Sequence, residues 1–467
     1  MNGNGPQVRT DIPGPKSREL LRADQRHLSH GSAYGDMFGS GLHAPVFVAS
    51  EGCYLIDADG NRFMDTSGAY SIGVQGYSPG PLIDAVCAQM RQLMHLPNMP
   101  NIPMLQLAES LLGICPGELK EGLVQFEVGG GPTMDLAFKL AYHHAVYGKG
   151  VSHPVTLAFM GAYHGRSIGA NTLTGYAYYR DGMPRTPDVV HLPFAYCYRC
   201  PYEKEYPSCD ILCARLVGKL LESSNYTFRD PNTGHNSVAT LVIEPIQAHS
   251  GMIVPPDEFM PTLAEVCRQY GITTVVDEIC MGIGHTGKWF ACDHWGFVPD
   301  IMAVAKALTG GTWPLGAVVA KRPIYEVWGA LPDRHMGTYH GSPVGCAAGL
   351  ATLDLIKREN LLENASRMGA YFLAGLHELA DRHSLIGEVC GKGLALGVEF
   401  VRDRTTKAPA AREAGLIVLE AAKKGVLILR NGYFNNRITF MPPLNVTKDE
   451  VDIILKVLDH AIRRVAL

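Results

Sequence analysis

The 467-residue sequence has no long hydrophobic run, no block of basic residues and no internal repeat. Because no apolar stretch could span a bilayer and the N-terminus does not resemble a signal peptide, we expect no membrane partner and a cytoplasmic location. Lys and Arg number 41 against 45 Asp and Glu, so electrostatically driven nucleic-acid binding is not expected. The 12 cysteines are too sparse in a chain of this length to form a disulfide framework.

Glycine and proline, by contrast, are abundant, with 51 and 30 residues and no collagen-like period. Hydrophobic residues make up 46% of the chain and charged residues 18%, which is enough for a large buried core. We therefore expect a folded protein of two or three structural units with many tight turns and close backbone approaches.

Short apolar segments alternate with helical patterns between residues 123 and 319. They are LVQFEV (123–128), VTLAFM (155–160), ATLVIEP (239–245), ITTVVDE (272–278) and DIMAVAK (300–306). Because these segments are apolar throughout, we predict parallel strands that are covered on both faces. The alternation predicts an α/β fold with a large, doubly wound, mostly parallel sheet, whose ligands lie at the carboxyl ends of the strands.

We divide the chain into four parts. Residues 1–25 are predicted to be a flexible arm, 26–75 the N-terminal part of a small domain, 76–344 the large domain, and 345–467 the C-terminal part of the small domain. The large domain carries a cysteine-containing insertion at 194–215. The smaller α+β domain is thus built from both ends of the chain, and DADGN (57–61) predicts a hairpin turn in its first part.

Gly129, Gly130 and Gly131 follow the first predicted strand and open a helix. Unhindered backbone N–H groups at a helix N-terminus form an anion site, most naturally for phosphate. The spacings of a Walker loop and of a dinucleotide-binding loop are absent. These residues alone leave open a plain turn packed against the sheet.

Asp277 and Lys306 end two of the predicted strands, so they can face each other across a ligand. A lysine can form a Schiff base once its ammonium loses a proton, which burial and a cationic neighbour would favour. An acid can hold a pyridinium nitrogen protonated and make the ring an electron sink. Taken singly, either residue could instead be a surface lysine or a helix cap.

The segment TTVVDEICMGIGHTGKWFACDHWGFVPDIMAVAKALTGGTWPLGAVV (273–319) resembles the signature of class III (ω-type) aminotransferases. These are pyridoxal 5′-phosphate (PLP) enzymes of fold type I. The resemblance extends over nearly the whole chain, from EGCYLIDADGNRFMD to RITFMPPLNVT. It implies PLP as cofactor, small-molecule amino and oxo substrates, and a homodimer.

The resemblance also implies roles for individual residues. Lys306 would form the Schiff base and move the substrate proton, Asp277 would pair with the pyridine nitrogen, and Tyr163 would stack on the ring. The other implied cofactor-binding residues are Gly129, Gly130, Gly131, His164, Glu244, Gln247 and, for the cofactor of the neighbouring subunit, Thr338. The implied substrate-binding residues are Tyr70, Glu244 and Arg437, the last of these for the α-carboxylate.

Several positions depart from the family pattern. The phosphate loop usually reads Ser-Gly-Ser/Thr-Glu-Ala-Asn-Glu, and here it is GGGPTMD (129–135). A usual Gly-Glu-Gly-Gly turn is replaced by AHSG (248–251), while Tyr77 and Cys390 replace a usual histidine and arginine. These changes indicate a substrate pocket of altered shape.

We expect an aminotransferase that uses Lys306 to transfer an amino group from an amino acid or amine to an oxo acid. The alternative is PLP chemistry without amino transfer, namely racemisation, epimerisation, or β/γ-elimination with carbon–carbon bond formation. A structural relative without catalysis is disfavoured because both Lys306 and Asp277 are present. The amino donor and acceptor stay open.

Four cysteines, Cys197, Cys200, Cys209 and Cys213, form a C-x₂-C-x₈-C-x₃-C pattern in the insertion. Four thiolates at this spacing could bind zinc or an iron–sulfur cluster. They could equally be partly buried residues of a surface loop. We favour the second interpretation and do not expect a metal.

Overall fold

The computed structural model describes residues 5–27, 44–184, 188–222, 228, 236–329 and 332–466. The helices are α1 (Pro15–His27), α2 (Gly68–Ser71), α3 (Gly80–Gln92), α4 (Ile102–Ile114), α5 (Gly130–His143), α6 (Ile168–Leu173), α7 (Ala177–Arg180), α8 (Leu212–Glu222), α9 (Phe259–Tyr270), α10 (Arg322–Tyr325), α11 (Pro343–Arg358), α12 (Leu361–Arg382), α13 (Ala411–Lys423) and α14 (Lys448–Ala466). None of the helices in these ranges combines the length and apolarity that a membrane span needs.

The strands are β1 (Phe47–Glu51), β2 (Tyr54–Asp57), β3 (Arg62–Asp65), β4 (Leu123–Glu127), β5 (Val155–Phe159), β6 (Val189–Leu192), β7 (Val238–Ile243), β8 (Thr273–Asp277), β9 (Ile301–Val304), β10 (Gly316–Ala320), β11 (Ile386–Lys392), β12 (Ala395–Asp403), β13 (Ala408–Pro409), β14 (Val426–Leu427), β15 (Leu429–Asn431) and β16 (Arg437–Phe440).

The largest sheet has seven strands in the order β4-β10-β9-β8-β7-β5-β6. Strand β10 runs antiparallel to β4 and β9, and the other neighbouring strands are parallel. Strands β7, β8 and β9 are buried along their whole length, as their uniformly apolar sequences predict. This sheet confirms the predicted α/β fold. The fifth predicted strand ends earlier than expected, at Val304, so Lys306 begins the 3₁₀ turn that follows it.

Both ends of the chain contribute to one of the smaller sheets, whose order is β1-β2-β3-β14. Strand β14, near the C-terminus, pairs in parallel with β3, and β2 and β3 form the hairpin predicted at residues 57–61. A second small sheet has the order β11-β12-β16-β15, with β13 beside β12. The boundaries of the predicted domains stay predictions.

The segment predicted to be a flexible arm is structured in its described part. Gln7 pairs with Arg62, next to the hairpin. Helix α1 is capped by the carboxylate of Asp59, which accepts the backbone N–H groups of Lys16 and Ser17 at 2.8 and 2.9 Å. The composition of the segment does not reveal this cap because Asp59 lies more than 40 positions away in the chain. Residues 1–4 and 28–43 lie outside the described residues.

Two helical glycines provide a matched test of packing. A Cβ atom on Gly369 in α12 would lie 2.1 Å from the carbonyl oxygen of Gly393, whereas one on Gly113 in α4 meets open space. We expect Gly369→Ala to lower the free energy of unfolding by about 1–3 kcal/mol, because the backbones must separate. Gly113→Ala should raise it by about 0.5–1 kcal/mol. Denaturation in urea measures both, and equal effects would contradict the close packing of α12.

Candidate active site

The carboxyl ends of β7, β8 and β9 border a cavity of about 630 Å³. Parallel strands bring their carboxyl ends to one edge of a sheet, which is why residues far apart in sequence meet there. Most of the predicted site residues line this cavity: Tyr70, Gly130, Gly131, Tyr163, His164, Glu244, Asp277 and Lys306.

Lys306 lines the cavity with its Nζ atom 3.3 Å from the sulfur of Cys280. Removal from water lowers the pKa of the lysine, but Cys280, Asp277 and Glu244 together raise it more, so the pKa is raised overall. The expected lowering of the lysine pKa is therefore absent. Acidic groups surround the ammonium and hold its proton.

Asp277 ends β8 and is held by two hydrogen bonds. Its Oδ2 atom lies 2.7 Å from Nδ1 of His164, and its Oδ1 atom accepts the N–H of Ile279 at 2.9 Å. The backbone of His164 is fixed in turn by a 3.0 Å hydrogen bond to Thr174 Oγ1. The aspartate therefore presents its carboxylate in a fixed orientation at the cavity wall.

Glu244 directly follows β7 and accepts the backbone N–H of Tyr163 at 3.3 Å. Burial raises the pKa of Glu244 well above its usual value, and the nearby charge of Asp277 raises it further. The shift favours the protonated carboxylic acid, which can donate a hydrogen bond as well as accept one.

The glycine loop forms an anion site at the start of α5. Gly129 is the N-cap residue with φ +82°, and the helix runs for 14 residues. A Cβ atom on Gly131 would lie 3.3 Å from Ser167 Oγ, and one on Gly130 would lie 3.2 Å from a methyl group of Ile279. Ser167 Oγ is buried and has no hydrogen-bond partner among the described residues. Helix N–H groups beside an unpartnered hydroxyl fit a phosphate group.

An aromatic cluster forms another wall. The rings of Tyr163 and His249 lie 5.0 Å apart at an angle of 32°, and the hydroxyl of Tyr179 is 3.1 Å from His249 Nε2. Burial lowers the pKa of His249 to about 4, and the charges of Arg166 and Lys306 contribute. Sequence analysis named neither His249 nor Tyr179 as a site residue, although the altered AHSG turn was the signal for the histidine.

Tyr70 is presented by a left-handed turn. The backbone of Gly68–Ser71 has φ values of 54°, 54°, 60° and 65°, which residues with side chains adopt at a cost. The carboxylate of Asp65 holds the turn by accepting the N–H of Ala69 at 2.9 Å and the hydroxyl of Tyr77 at 2.6 Å. Tyr77, one of the departures from the family pattern, therefore supports the turn that carries Tyr70.

Arg437 does not line the cavity, contrary to prediction. It is fully buried, and its Nη1 atom lies 2.7 Å from carboxylate oxygens of both Glu388 and Glu399. Its Nε donates to the carbonyl of Gly251 at 2.7 Å and its Nη2 to the sulfur of Cys390 at 2.9 Å. The charge of this arginine is thus compensated inside the protein. The MPPL context could not reveal the two glutamates, which lie on other strands.

Two further predicted residues, Gln247 and Thr338, are not among those that line this cavity. Gln247 lies behind the wall, where its amide donates to the carbonyl of Met160 at 3.0 Å and its oxygen accepts the hydroxyl of Tyr433 at 3.3 Å. Thr338 is exposed on a turn outside the cavity. Its predicted role in a neighbouring subunit stays a prediction.

Two arginines that sequence analysis did not single out line the cavity, Arg166 and Arg430. The guanidinium of Arg166 lies over the ring of Tyr179, 4.5 Å from its centroid. Arg430 lies on β15, and its Nη1 donates to the carbonyl of Ala411 at 3.0 Å. With Arg437 enclosed, these two residues supply the guanidinium groups at the cavity wall.

Comparison with known proteins links this arrangement to one family. The profile described as aminotransferase class-III matches residues 40–462. A leucine/methionine racemase of Thermococcus litoralis is 32% identical over 425 residues, which is 90% of this chain and 91% of the relative. A taurine–pyruvate aminotransferase of Bilophila wadsworthia is 31% identical over 466 residues, 95% and 96% of the two chains. An amine transaminase from an uncultivated Pseudomonas species, solved in its PLP-bound internal aldimine form, has a TM-score of 0.83 at 29% identity, covering 94% and 97%.

Because Arg437 is buried, its substitution can distinguish a structural role of this arginine from a role in substrate binding. Arg437→Met removes the arginine that pairs with Glu388 and one of the two that pair with Glu399, so we expect the free energy of unfolding to fall by about 3–5 kcal/mol. The matched control Arg402→Met removes a pair with Glu413 in which the arginine side chain is 58% exposed, and it should cost less than about 1 kcal/mol. Denaturation curves measure both changes. Unchanged stability of Arg437→Met with a raised KM would show that Arg437 binds substrate after all.

Proposed function

Because the chain belongs to the class III aminotransferase family of PLP-dependent, fold type I enzymes, we propose that it is an aminotransferase. It transfers an amino group from an amino acid or amine to an oxo acid. The observation that carries the proposal is the convergence of Lys306, Asp277 and Glu244 in one cavity beside the glycine loop.

The residues of the cavity fit PLP. Gly130 and Gly131, with the unpartnered hydroxyl of Ser167, would hold its phosphate, Asp277 its ring nitrogen, and Lys306 its aldehyde carbon. When bound, PLP supplies an electron sink that weakens the bonds at the substrate Cα.

The chain itself supplies proton transfer and charge. Lys306 takes the substrate proton and returns it, which requires that its ammonium first lose a proton. The raised pKa of Glu244 reduces the negative charge beside Lys306 that would otherwise hold the lysine proton. Asp277, oriented by His164, would pair with the protonated ring nitrogen.

An oxo acid carries a carboxylate, so its binding requires a cation at the cavity wall. Arg437 is paired with Glu388 and Glu399, which leaves Arg166 and Arg430. Both line the cavity, and a planar guanidinium fork suits a carboxylate, so we assign the substrate carboxylate to these two arginines.

The exposed surface around Thr338 favours a homodimer. The adjacent Tyr339 is 61% exposed, and its ring lies 4.8 Å from that of His95, which lies in the segment between α3 and α4. Exposed apolar residues continue along this surface: Met94, Met99, Ile102 and Leu105. Apolar patches of this kind mark interfaces. A second copy that covers it by two-fold symmetry would bring Thr338 towards the neighbouring cavity.

A panel of amines and amino acids, followed by a panel of oxo acids, tests amino transfer. We expect at least one donor to convert the bound cofactor to pyridoxamine phosphate, recorded by absorbance, and an oxo acid to reverse this. Lys306→Ala should lose the covalently attached cofactor and lower turnover by about 10²–10⁴-fold or more, while the exposed Lys288→Ala should keep both. If no donor yields pyridoxamine phosphate while Cα–hydrogen exchange proceeds, amino transfer is rejected and PLP chemistry is retained.

Racemisation or epimerisation is a second candidate, favoured by the similarity to a leucine/methionine racemase and by His249. Inversion requires one group to remove the Cα proton and another to deliver a proton to the opposite face. Lys306 and His249 both line the cavity. The lowered pKa leaves the imidazole neutral at neutral pH, and the hydroxyl of Tyr179 at 3.1 Å gives it a partner for exchanging a proton.

His249→Asn tests the second candidate. With one enantiomer of an amino acid in deuterated water, the wild type should give inverted, deuterated product. The variant should slow inversion by about 10²-fold or more while Lys306 still exchanges the original proton. With the opposite enantiomer, whose Cα proton His249 would remove, inversion in the wild type should also fall as the pH is lowered towards 4, where the imidazole becomes protonated. The exposed His153→Asn is the control, and equal losses of exchange and inversion in His249→Asn would reject the two-base scheme.

A further inference from the structure

We propose that Glu127 is a positioning residue that fixes the turn carrying Thr338, so that each subunit of the dimer holds this threonine in place for its partner's phosphate site. The role rests on the proposed function, which supplies the dimer and the cofactor. Glu127 acts through His335 and His340, which stand on either side of Thr338 in the sequence. These four side chains are not among those that line the cavity.

Glu127 holds two imidazoles with one carboxylate. It is the buried last residue of β4, the strand at one edge of the seven-stranded sheet. Its Oε1 atom lies 2.5 Å from Nε2 of His335, and its Oε2 atom lies 3.0 Å from Nε2 of His340. The N–H of Val128 also donates to Oε2 at 3.0 Å. These separations are those of direct hydrogen bonds, one imidazole to each oxygen.

The charge of Glu127 suits it to this task. Burial raises the pKa of its carboxyl group, but the hydrogen bonds with His335, His340 and the backbone of Val128 outweigh this and lower the pKa to about 2. The ionised carboxylate accepts at both oxygens, so both imidazoles can donate from Nε2. A glutamine at this position would offer one acceptor and one donor, and one of the two bonds would be lost.

The segment between the two histidines ends in a tight turn. The N–H of His340 bonds to the carbonyl of Gly337 at 3.1 Å, so Thr338 and Tyr339 are the central residues of the turn. A Cβ atom on Gly337 would lie 2.2 Å from Nε2 of His340, which shows how closely this imidazole passes the backbone. Thr338 and Tyr339 are exposed. The turn therefore presents its central residues outwards while its base is held by Glu127.

Other contacts anchor both ends of the same segment. The side-chain amide of Gln125 in β4 donates to the carbonyl of His335 at 2.7 Å. The ring of His335 is also stacked on that of Trp328, with centroids 6.4 Å apart at an angle of 9°. At the other end, Asn101, the N-cap residue of α4, donates to the carbonyl of Gly341 at 3.0 Å. The turn is thus fixed before any partner binds.

The position of Glu127 relates this turn to the cofactor. Glu127 stands two residues before Gly129, where the glycine loop of its own subunit begins. On the other side, the ring of Tyr339 lies 4.8 Å from that of His95, on the surface that a second copy would cover. A hydroxyl on a fixed turn binds a phosphate more tightly than one on a turn that is ordered only on binding. We therefore expect Glu127 to contribute to cofactor affinity in the partner's cavity.

Glu127→Gln tests this role because it keeps the shape of the side chain and removes its charge. Full-length enzyme purified with PLP is dialysed to equilibrium against a series of PLP concentrations, and the absorbance of the covalently attached cofactor gives the Kd. The variant should raise this Kd by about ten- to a hundred-fold, as expected for the loss of one hydrogen bond to a charged group. The Kd of pyridoxal, which has no phosphate, should stay within about two-fold of the wild type. The exposed Glu121→Gln is the control and should change neither Kd.

Two further variants test whether Glu127 acts through the turn. Thr338→Val should raise the Kd of PLP as Glu127→Gln does, and the double variant should bind PLP no more weakly than Thr338→Val alone. His340→Ala removes one imidazole and leaves Glu127 paired with His335, so it serves if Glu127→Gln does not fold. It should raise the Kd of PLP by about ten-fold and leave that of pyridoxal unchanged.

A mixed dimer shows in which cavity Glu127 acts. Glu127→Gln and Lys306→Ala chains with different affinity tags are produced together, and dimers that contain one of each are isolated. The cavity that can attach the cofactor then belongs to the Glu127→Gln chain. It receives Thr338 from the Lys306→Ala chain, whose Glu127 is intact. We expect this cavity to bind PLP with the Kd of the wild type.

The proposal is overturned if the mixed dimer binds PLP as weakly as the Glu127→Gln homodimer, because Glu127 would then act within its own cavity. It is equally overturned by an unchanged Kd of PLP in Glu127→Gln or His340→Ala, by equal losses for PLP and pyridoxal, by additive effects in the double variant, or by a wild type that sediments as a monomer. Amino donors are absent throughout, so these outcomes are independent of amino transfer. Failure of the proposed function is seen separately, when no donor yields pyridoxamine phosphate.

Discussion

The chemistry of the cavity depends on the electrostatic interaction between one lysine and two carboxyl groups at adjacent strand ends. Away from water these charges interact strongly. Asp277 is held by hydrogen bonds with His164 and Ile279, while burial and the charge of Asp277 raise the pKa of Glu244, and Cys280 and the two carboxyl groups raise that of Lys306. The parallel sheet is what allows this, since it fixes all three side chains at one edge.

The buried Arg437 connects this edge to the smaller sheets. Glycines surround it closely: added Cβ atoms on Gly251, Gly397 and Gly432 would lie 2.4, 3.1 and 3.0 Å from its side chain. Gly251 also ends the AHSG turn, and its carbonyl accepts a hydrogen bond from Arg437. The turn that presents His249 to the cavity is therefore anchored by a residue that never reaches it. Arg437 occupies the position at which the family places an arginine, and in this protein it contributes to the shape of the cavity.

The sequence predicts those features that follow from the sheet alone. Asp277, Lys306 and the glycine loop stand at strand ends, and topology brings strand ends together. Arg437 and the cap of α1 could not be predicted, because each depends on partners from distant segments that no local pattern records. His249 lies between these cases: the sequence marks its turn as unusual, and only the three-dimensional packing adds its neighbours Tyr163 and Tyr179.

The backbone of Lys306 has φ +45°, a left-handed conformation in which glycine alone is free of strain. Folding by itself would therefore favour the smallest residue at this position, at a saving of about 1–2 kcal/mol. The lysine therefore occupies a backbone position at which its side chain lowers the stability of the fold. Under the proposed function, the requirement for a reactive amine at position 306 opposes the requirement for stability, and the large buried core offsets the cost.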